Sequence, residues 1–231
     1  MNSEHRKVNQ HFIRMAGTFS IMAGIFVLAS IFYVFVVLGS MGLEFSMFED
    51  TKALLTWIDA NKLAYSILWV HYAIIGVLML PAPLAASQVF RQHSNRSSSM
   101  ATVSYLVGLC GFYLLIIASI VFFTISPITA KAFTLGTNNS LLLHEIFVAL
   151  GMQFRLFGEF MIGLWIAGIG IHRVRKNKID SFGWYCVVFA VSSTIITIAK
   201  SFNLFDWEPL LGMALAFTYI WLGWIMRQKS K

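Results

Sequence analysis

Residues 141–171 read LLLHEIFVALGMQFRLFGEFMIGLWIAGIGI, and this stretch decides the fold class. It is one apolar run, longer than the roughly 20 residues that a helix needs to cross a bilayer. The run nevertheless contains ionisable and amide side chains, whereas the other long apolar runs are nearly free of charge. Its polar members are His144, Glu145, Gln153, Arg155 and Glu159. The sequence therefore predicts a membrane-spanning helix that carries the polar groups of any functional site.

The composition of the whole chain is that of an integral membrane protein. Hydrophobic residues make up 58% and charged residues 12% of the 231 residues, and the charged fraction is about half that of a typical soluble domain. The net charge of +7 does not indicate nucleic-acid binding, because the basic residues lie in short segments between apolar runs. Cys110 and Cys186 both lie inside apolar runs, which predicts free thiols rather than a disulfide or a zinc site.

Six apolar runs predict an all-α, polytopic transmembrane bundle that forms a single domain. The predicted spans cover about residues 15–39, 63–90, 101–126, 141–171, 181–200 and 210–226, the third ending near Pro127. The segments on one side of the membrane carry 12 Lys and Arg residues, and those on the other side carry four. This bias predicts that both termini are cytoplasmic. Short loops and the lack of a targeting segment favour a bacterial inner membrane, with the lipid bilayer as the surroundings.

Two further features interrupt the regular spans. The longest loop, residues 40–62, contains a predicted amphipathic helix within 49–62, with Asp50 as its N-cap and its apolar face on the membrane interface. The second span contains Pro81 and Pro83, and each proline removes a helical hydrogen bond and clashes with the carbonyl four residues back. The sequence therefore predicts a kink at these prolines, which is its one candidate hinge.

One face of the span 141–171 combines three charged or titratable side chains with two glycines, at about 100° per residue. These are His144, Gly151, Arg155, Gly158 and Glu159, with Gln153 on the opposite side. Arg155 and Glu159 are four residues apart and can pair, which reduces the cost of about 3 kcal/mol for a lone charge at the bilayer centre. The pattern predicts a site for a small anion or a proton, with Glu159 as the proton carrier. The structural alternative is an ion pair that fixes the register of the helix.

His71 in the second span and His144 in the fourth suggest a different chemistry. Two imidazoles on neighbouring helices could ligate a haem iron, which would make the protein a redox protein. Centring both spans in the bilayer places His71 about 10 Å deeper than His144, an unfavourable arrangement for one shared iron. The sequence contains no zinc-site spacing and no HExxH, P-loop, GxSxG or CxxC motif. A non-enzymatic role is therefore favoured, with haem as the one cofactor considered.

A third hypothesis is a non-catalytic membrane partner, such as a sensor, assembly or immunity subunit. Its binding surface would be the loop 40–62, which contains most of the charged residues on the side of the membrane with fewer basic residues. The partner could be another subunit or a second copy of the chain. The sequence does not decide between this role, the ion site and the redox protein.

Three short segments of the second half carry a family resemblance. They are Arg155-Leu-Phe-Gly-Glu159, Gly163-Leu-Trp165 and, after a basic loop, Gly183-Trp184. Together with the size and the hydropathy layout, they resemble a bacterial family of six-helix integral membrane proteins that has no assigned activity. The resemblance extends over most of the chain. It implies a six-helix fold and a membrane location, and it implies no mechanism.

Overall fold

The computed structural model describes residues 3–48, 50–91, 98–201 and 208–229. Within these ranges the chain forms eight α-helices and no strand, which confirms the all-α prediction. The helices are α1 (Ser3–Phe32), α2 (Thr51–Ala60), α3 (Lys62–Met79), α4 (Pro81–Arg91), α5 (Ser98–Thr134), α6 (Ser140–Lys176), α7 (Ser181–Ser201) and α8 (Glu208–Lys229). A π-helical segment, Tyr33–Leu38, continues α1, and a 3-10 turn, Phe45–Phe48, precedes α2.

Five of the helical segments in the described part of the chain are long and apolar enough to cross a membrane. They are Asn9–Leu38, Lys62–Val89, Thr102–Thr134, Ser140–Lys176 and Leu210–Lys229. The described apolar part of α7, Ser181–Ile196, is shorter. The chain thus has the helices of a polytopic membrane protein, while the sixth span and the orientation stay predictions.

The long helices form a ring. Following contacts from neighbour to neighbour gives the order α1, α3, α5, α6, α7, α8 and back to α1. The α5–α6 and α1–α8 pairs are the most extensive contacts, and α7–α8 is the weakest junction of the ring. At this junction the Tyr185 hydroxyl donates to the Ala214 carbonyl at 2.7 Å, and Trp221 packs on Tyr185. One end of the ring, called the basic end below, carries Arg173, Lys176 and Arg227.

Glycines let the most closely paired helices touch through their backbones. A Cβ on Gly111 of α5 would lie 2.9 Å from the carbonyl oxygen of Gly158 on α6, and the reverse distance is the same. On α1, a Cβ on Gly17 would lie 2.7 Å from the carbonyl oxygen of Gly223 on α8. Small residues serve this purpose in membranes, where van der Waals packing drives helix association in place of the hydrophobic effect. The glycines therefore fix the positions at which these helices cross.

The α-helix is interrupted just before the prolines at which the sequence predicts a kink, while the bend itself stays a prediction. Helix α3 ends at Met79, and α4 begins at Pro81. Between them the Leu80 amide donates to the Val77 carbonyl, three residues back, at 3.2 Å. The tighter turn reflects the bond that Pro81 cannot make. Motion about this break, which a hinge requires, stays a prediction.

The expectation that the third span ends near Pro127 was wrong, because α5 continues through this proline to Thr134. The extended part of α5 packs against α2. It also makes side-chain bonds of its own, since the Thr129 hydroxyl lies 3.0 Å from the Ile125 carbonyl. Prolines are tolerated inside membrane helices when neighbouring helices and hydroxyl side chains compensate for the lost bond. The turn after α5 therefore falls at residues 135–139 instead of 127–140.

Helix α2 forms as predicted, but its apolar face does not lie on the membrane interface. The Asp50 carboxylate caps it and accepts from the amides of Lys52 and Ala53 at 3.0 and 3.2 Å. Its apolar side chains are buried within the protein, in a cluster with residues of α3, α5 and the π-helical segment; these are Leu55, Trp57 and Ile58. The extension of α5 past Pro127 supplies the surface that covers them. A partner that binds the loop 40–62 would meet its remaining exposed side, and such a partner stays a prediction.

Candidate polar site inside the bundle

The predicted ion pair of α6 forms. The Nε of Arg155 donates to the Oε1 of Glu159 at 2.9 Å, and the two side chains are 11% and 25% exposed. Gln153 is exposed, as expected for the opposite side of the helix. The pair therefore lies on the inward side of a membrane-length helix, where an isolated charge would be costly.

The two glycines on the same face contact a helix. A Cβ on Gly151 would lie 3.0 Å from the Phe122 ring, and one on Gly158 would lie 2.9 Å from the Gly111 carbonyl oxygen. Both neighbours belong to α5. The space beside these glycines is therefore filled by α5, with a side chain at Gly151 and a backbone carbonyl at Gly158.

The guanidinium of Arg155 contacts an aromatic ring of another helix. Its Cζ lies 5.5 Å from the centroid of the Tyr72 ring on α3. Among the described residues, α3 and α6 have no direct backbone contact, because α5 separates them. The aromatic face attracts the cation and stabilises it away from water. Arg155 therefore contacts a carboxylate on its own helix and an aromatic ring of α3.

Tyr219 on α8 is a buried polar residue of the bundle that the sequence did not single out, and its ring lies 6.1 Å from the Phe112 ring of α5. Its side chain is fully buried, and its hydroxyl has no hydrogen-bond partner among the residues that the structure describes. The aromatic residues near span ends are typical interface anchors, whereas Tyr219 lies in the middle of its span. That position was the available signal.

His71 lies on α3 next to Tyr72, and its ring faces α1. Its centroid is 5.5 Å from the Tyr33 ring, which it meets edge-on, and 5.9 Å from the Phe26 ring. Its Nδ1 is buried without a hydrogen-bond partner in the described part of the chain. Tyr33 belongs to the π-helical segment and is tied to α3 through a hydrogen bond from its hydroxyl to the Ala64 carbonyl at 3.0 Å.

His144 is in a different environment. It is 2% exposed, and its Nδ1 lies 2.8 Å from the Thr129 hydroxyl oxygen on α5. The Thr129 hydroxyl also lies 3.0 Å from the Ile125 carbonyl oxygen, and the tautomer of the imidazole sets which group donates in the bond between Thr129 and His144. This bond links the ends of α5 and α6 far from the basic end.

The structure does not join the two histidines that the haem hypothesis pairs. His71 contacts rings of α1, whereas His144 bonds to α5. The described residues contain no group of three or more His, Cys, Asp or Glu that could hold a metal ion. No contact in the described structure therefore supports a shared iron, and the haem hypothesis stays a prediction.

A groove of about 290 Å³ lies between α3 and α5, outside the polar site. Its lining includes Trp69, Val77, Ile120 and Phe123, and the last three are exposed on the bundle surface. The lining is apolar apart from Ser119, whose hydroxyl donates to its own helix at the Leu115 carbonyl. The groove therefore offers no polar contact that could recognise an ion.

No protein-family model, curated protein or solved structure matches this chain. The resemblance to the six-helix family of unassigned activity consequently stays a prediction, and the site has to be interpreted from its own geometry.

Proposed function

We propose that this chain is an integral membrane protein that takes up a proton at Glu159 and couples it to a small anion at Arg155. The observation that carries the proposal is the Arg155–Glu159 ion pair, 11% and 25% exposed, on the inner face of a membrane-length helix. An ionisable residue inside a membrane span often marks an ion or proton pathway. It is functional more often than an ionisable residue in a soluble helix.

The charges of the pair explain why proton and anion would be coupled. An arginine stays protonated in proteins, so the pair is neutral only while Glu159 is ionised. Protonation of Glu159 removes the negative charge that neutralises Arg155 on its own helix, and a net charge is costly inside a membrane span. A small anion can replace the lost carboxylate, so that one proton and one anion enter the site together. From α3, the ring of Tyr72 faces the guanidinium of the pair.

We also propose six spans with both termini in the cytoplasm of a bacterial cell. The sixth span is α7, which its length alone does not identify as a span. With 21 residues, α7 is about 31 Å long, close to the thickness of the hydrocarbon core. Its outward side carries exposed apolar residues, among them Val188, Val191 and Ile195. The bias of Lys and Arg toward the basic end supports the orientation.

Proton flux into vesicles tests the function directly. The purified protein is reconstituted into vesicles that enclose a pH-sensitive dye, and an outward potassium gradient with valinomycin sets a membrane potential. An acid pulse in chloride, nitrate or formate then reveals whether protons enter and whether the anion changes the rate. We expect influx above that of empty vesicles and a rate that depends on the anion.

Two variants of α6 make the assay specific. Glu159→Gln should reduce the influx to the level of empty vesicles, because the amide cannot carry the proton. Glu145→Gln changes an exposed carboxylate of the same helix and should keep the wild-type rate. Size-exclusion elution checks that both variants are folded. Equal rates for Glu159→Gln and the wild type, or a wild-type rate equal to that of empty vesicles, would exclude the proposal.

A further inference from the structure

We propose that the turn between α6 and α7 binds the headgroup of an anionic phospholipid. The cations of this turn are Arg175, Lys176 and Lys178, and the lipid belongs to the leaflet at the basic end. This binding rests on the membrane location proposed above, but the Arg155–Glu159 pair takes no part in it.

The turn lies at the level where the apolar surface of the bundle ends. On α6 the last exposed large apolar side chain is Ile171, and on α7 the first is Trp184. Helix α8 shows the same order, because Trp224 is exposed one turn before the exposed Arg227. Tryptophans at the edge of an apolar surface are typical of the membrane interface. The α6–α7 turn is therefore positioned among the headgroups.

Helices α6 and α7 hold the two ends of the turn in place. A Cβ on Gly170 of α6 would lie 2.8 Å from the carbonyl oxygen of Gly183 on α7, so the two backbones touch beside the turn. The indole Nε1 of Trp184 donates to the Lys178 carbonyl at 2.9 Å and ties the turn to the start of α7. A turn that is ordered in advance loses less conformational freedom when a ligand binds.

The charge of the turn complements that of an anionic headgroup. Residues 171–184 contain one carboxylate, Asp180, and Arg173 neutralises it through a hydrogen bond of 2.9 Å. The three cations of the turn are exposed. Basic residues next to a membrane helix attract anionic lipids, whereas a zwitterionic lipid has no net charge for them to attract.

An exposed isoleucine favours a phospholipid over a free phosphate ion. Ile179 is 88% exposed in the middle of this polar turn, and Trp184 beside it is 51% exposed. A phosphate ion offers no surface that could cover an apolar side chain, whereas the boundary between headgroups and acyl chains does. Cations and apolar groups side by side therefore match the two parts of a phospholipid.

Quenching by brominated lipids shows whether the turn selects an anionic headgroup. Trp184 is the reporter, because its indole contacts the turn. The full-length protein is reconstituted into vesicles of equal parts of phosphatidylcholine and phosphatidylglycerol, with bromine on the acyl chains of one lipid or of the other. Subtracting the signal of the matching Trp184→Phe protein isolates the reporter from the other tryptophans. Without selection, both brominated mixtures quench the reporter equally.

One basic residue near an anionic surface contributes a factor of about five in affinity. We therefore expect the wild type to prefer phosphatidylglycerol by roughly tenfold or more, and Lys176→Gln/Lys178→Gln to lower this preference by at least about fivefold. The matched control is Lys52→Gln/Lys131→Gln, which removes two exposed cations of α2 and α5 at the opposite end. The control should keep the wild-type preference.

Two conditions test the wild type without any variant of the turn. High salt should weaken the preference, because it screens exposed charges. Inorganic phosphate, added at constant ionic strength, should leave the preference unchanged. A preference that phosphate abolishes would assign the turn to free phosphate and overturn the lipid assignment, and so would a preference that high salt leaves intact.

The outcomes also separate lipid binding from proton uptake. Equal quenching of wild-type Trp184 by both lipids, or an unchanged preference in Lys176→Gln/Lys178→Gln, would overturn the lipid assignment and leave proton uptake at Glu159 untouched. The lack of quenching by either lipid would overturn the membrane location as well, and with it the proposed function.

Discussion

Gly111 of α5 and Gly158 of α6 face each other so closely that a Cβ on either would lie 2.9 Å from the carbonyl oxygen of the other. This contact fixes where the two helices cross, one residue away from Glu159 along α6. The depth of the ion pair relative to α5 therefore depends on two residues that have no side chain.

Alanine at this crossing should destabilise the bundle. Gly158→Ala forces a methyl group against the Gly111 carbonyl and should cost about 1–3 kcal/mol, as overpacking does elsewhere. Gly163→Ala on the same helix is the matched control, because its Cβ would meet the nearest neighbour, the Ser193 hydroxyl, at an ordinary 3.7 Å. The control should be neutral, or more stable by up to about 1 kcal/mol. Thermal unfolding in detergent compares them, and equal stability of the two variants would contradict the prediction.

A double replacement separates the contribution of the ion pair to stability from its role in proton uptake. Arg155→Met or Glu159→Gln alone removes one charge of the pair. Breaking a buried ion pair in this way typically lowers stability by about 3 kcal/mol. The double variant with Met at 155 and Leu at 159 removes both charges and should recover most of the lost stability. We expect it to fold well and to conduct no protons. Proton influx at the wild-type rate in the double variant would show that the pair serves only packing.

The bond between Thr129 and His144 should stabilise the end of the bundle opposite the basic end. Thr129→Val keeps the shape of the side chain but leaves the buried Nδ1 of His144 unpaired, at a cost of about 1–3 kcal/mol. Thr124→Val is the control, because Thr124 makes the same kind of bond to its own helix while exposed. That change should stay within about 0.5 kcal/mol. Unfolding in detergent measures both, and a neutral Thr129→Val would mean that the bond contributes nothing.

Asp180 should make the stability of the α6–α7 connection depend on pH. Two hydrogen bonds from Arg173 and one from the Gly183 amide hold the pKa of this carboxyl below its usual range. A lowered folded-state pKa adds stability above the ordinary value of about 3.9, and that stability is lost as the pH falls through the folded-state pKa. Asp180→Asn should therefore lower the free energy of unfolding at pH 7 by about 1 kcal/mol, and the melting temperature with it.

The pH series supplies the decisive comparison for Asp180. The difference between wild type and Asp180→Asn should shrink below about pH 4, because the wild-type carboxyl then becomes neutral as well. Glu145→Gln, which neutralises an exposed carboxylate of α6, controls for the change in net charge. A difference that stays constant from pH 7 to pH 3 would show that the ion pair adds no stability there.

The features that the sequence predicted correctly are local ones. The Asp50 cap, the break before Pro81 and the Arg155–Glu159 spacing depend on residues within one or two turns of each other. Apolar runs likewise identify helices of membrane length, because the bilayer requires length and hydrophobicity wherever the helix packs. These features need no knowledge of which helices are neighbours.

The features that were missed depend on packing between distant segments. The helical conformation around Pro127 and the burial of α2 depend on each other. Helix α2 covers the part of α5 that follows Pro127, and that part of α5 covers the apolar face of α2. Tyr219 is buried because α1 and the Phe112 ring of α5 cover its side of α8. A single sequence does not show which helices are neighbours, so the mid-span position of Tyr219 marks it as unusual without showing what covers it.

Cysteine labelling tests whether α7 is the sixth span. In a background with Cys110 and Cys186 replaced by Ala, single cysteines are placed at the exposed positions Lys178, before α7, and Gln228, near the end of α8. If α7 and α8 both cross the membrane, these two positions lie on the same side. If α7 does not cross, α8 alone carries the chain over, and Gln228 lies on the side opposite Lys178.

The orientation follows from the same experiment with a third position. Ser46 is exposed before α2. The Ser46→Cys variant should react with a membrane-impermeant maleimide added to intact cells. Lys178→Cys and Gln228→Cys should react only after the cells are permeabilised, because the Lys and Arg bias places both positions in the cytoplasm. Labelling of Gln228→Cys but not Lys178→Cys in intact cells would reduce the count to five spans and put the end of α8 outside.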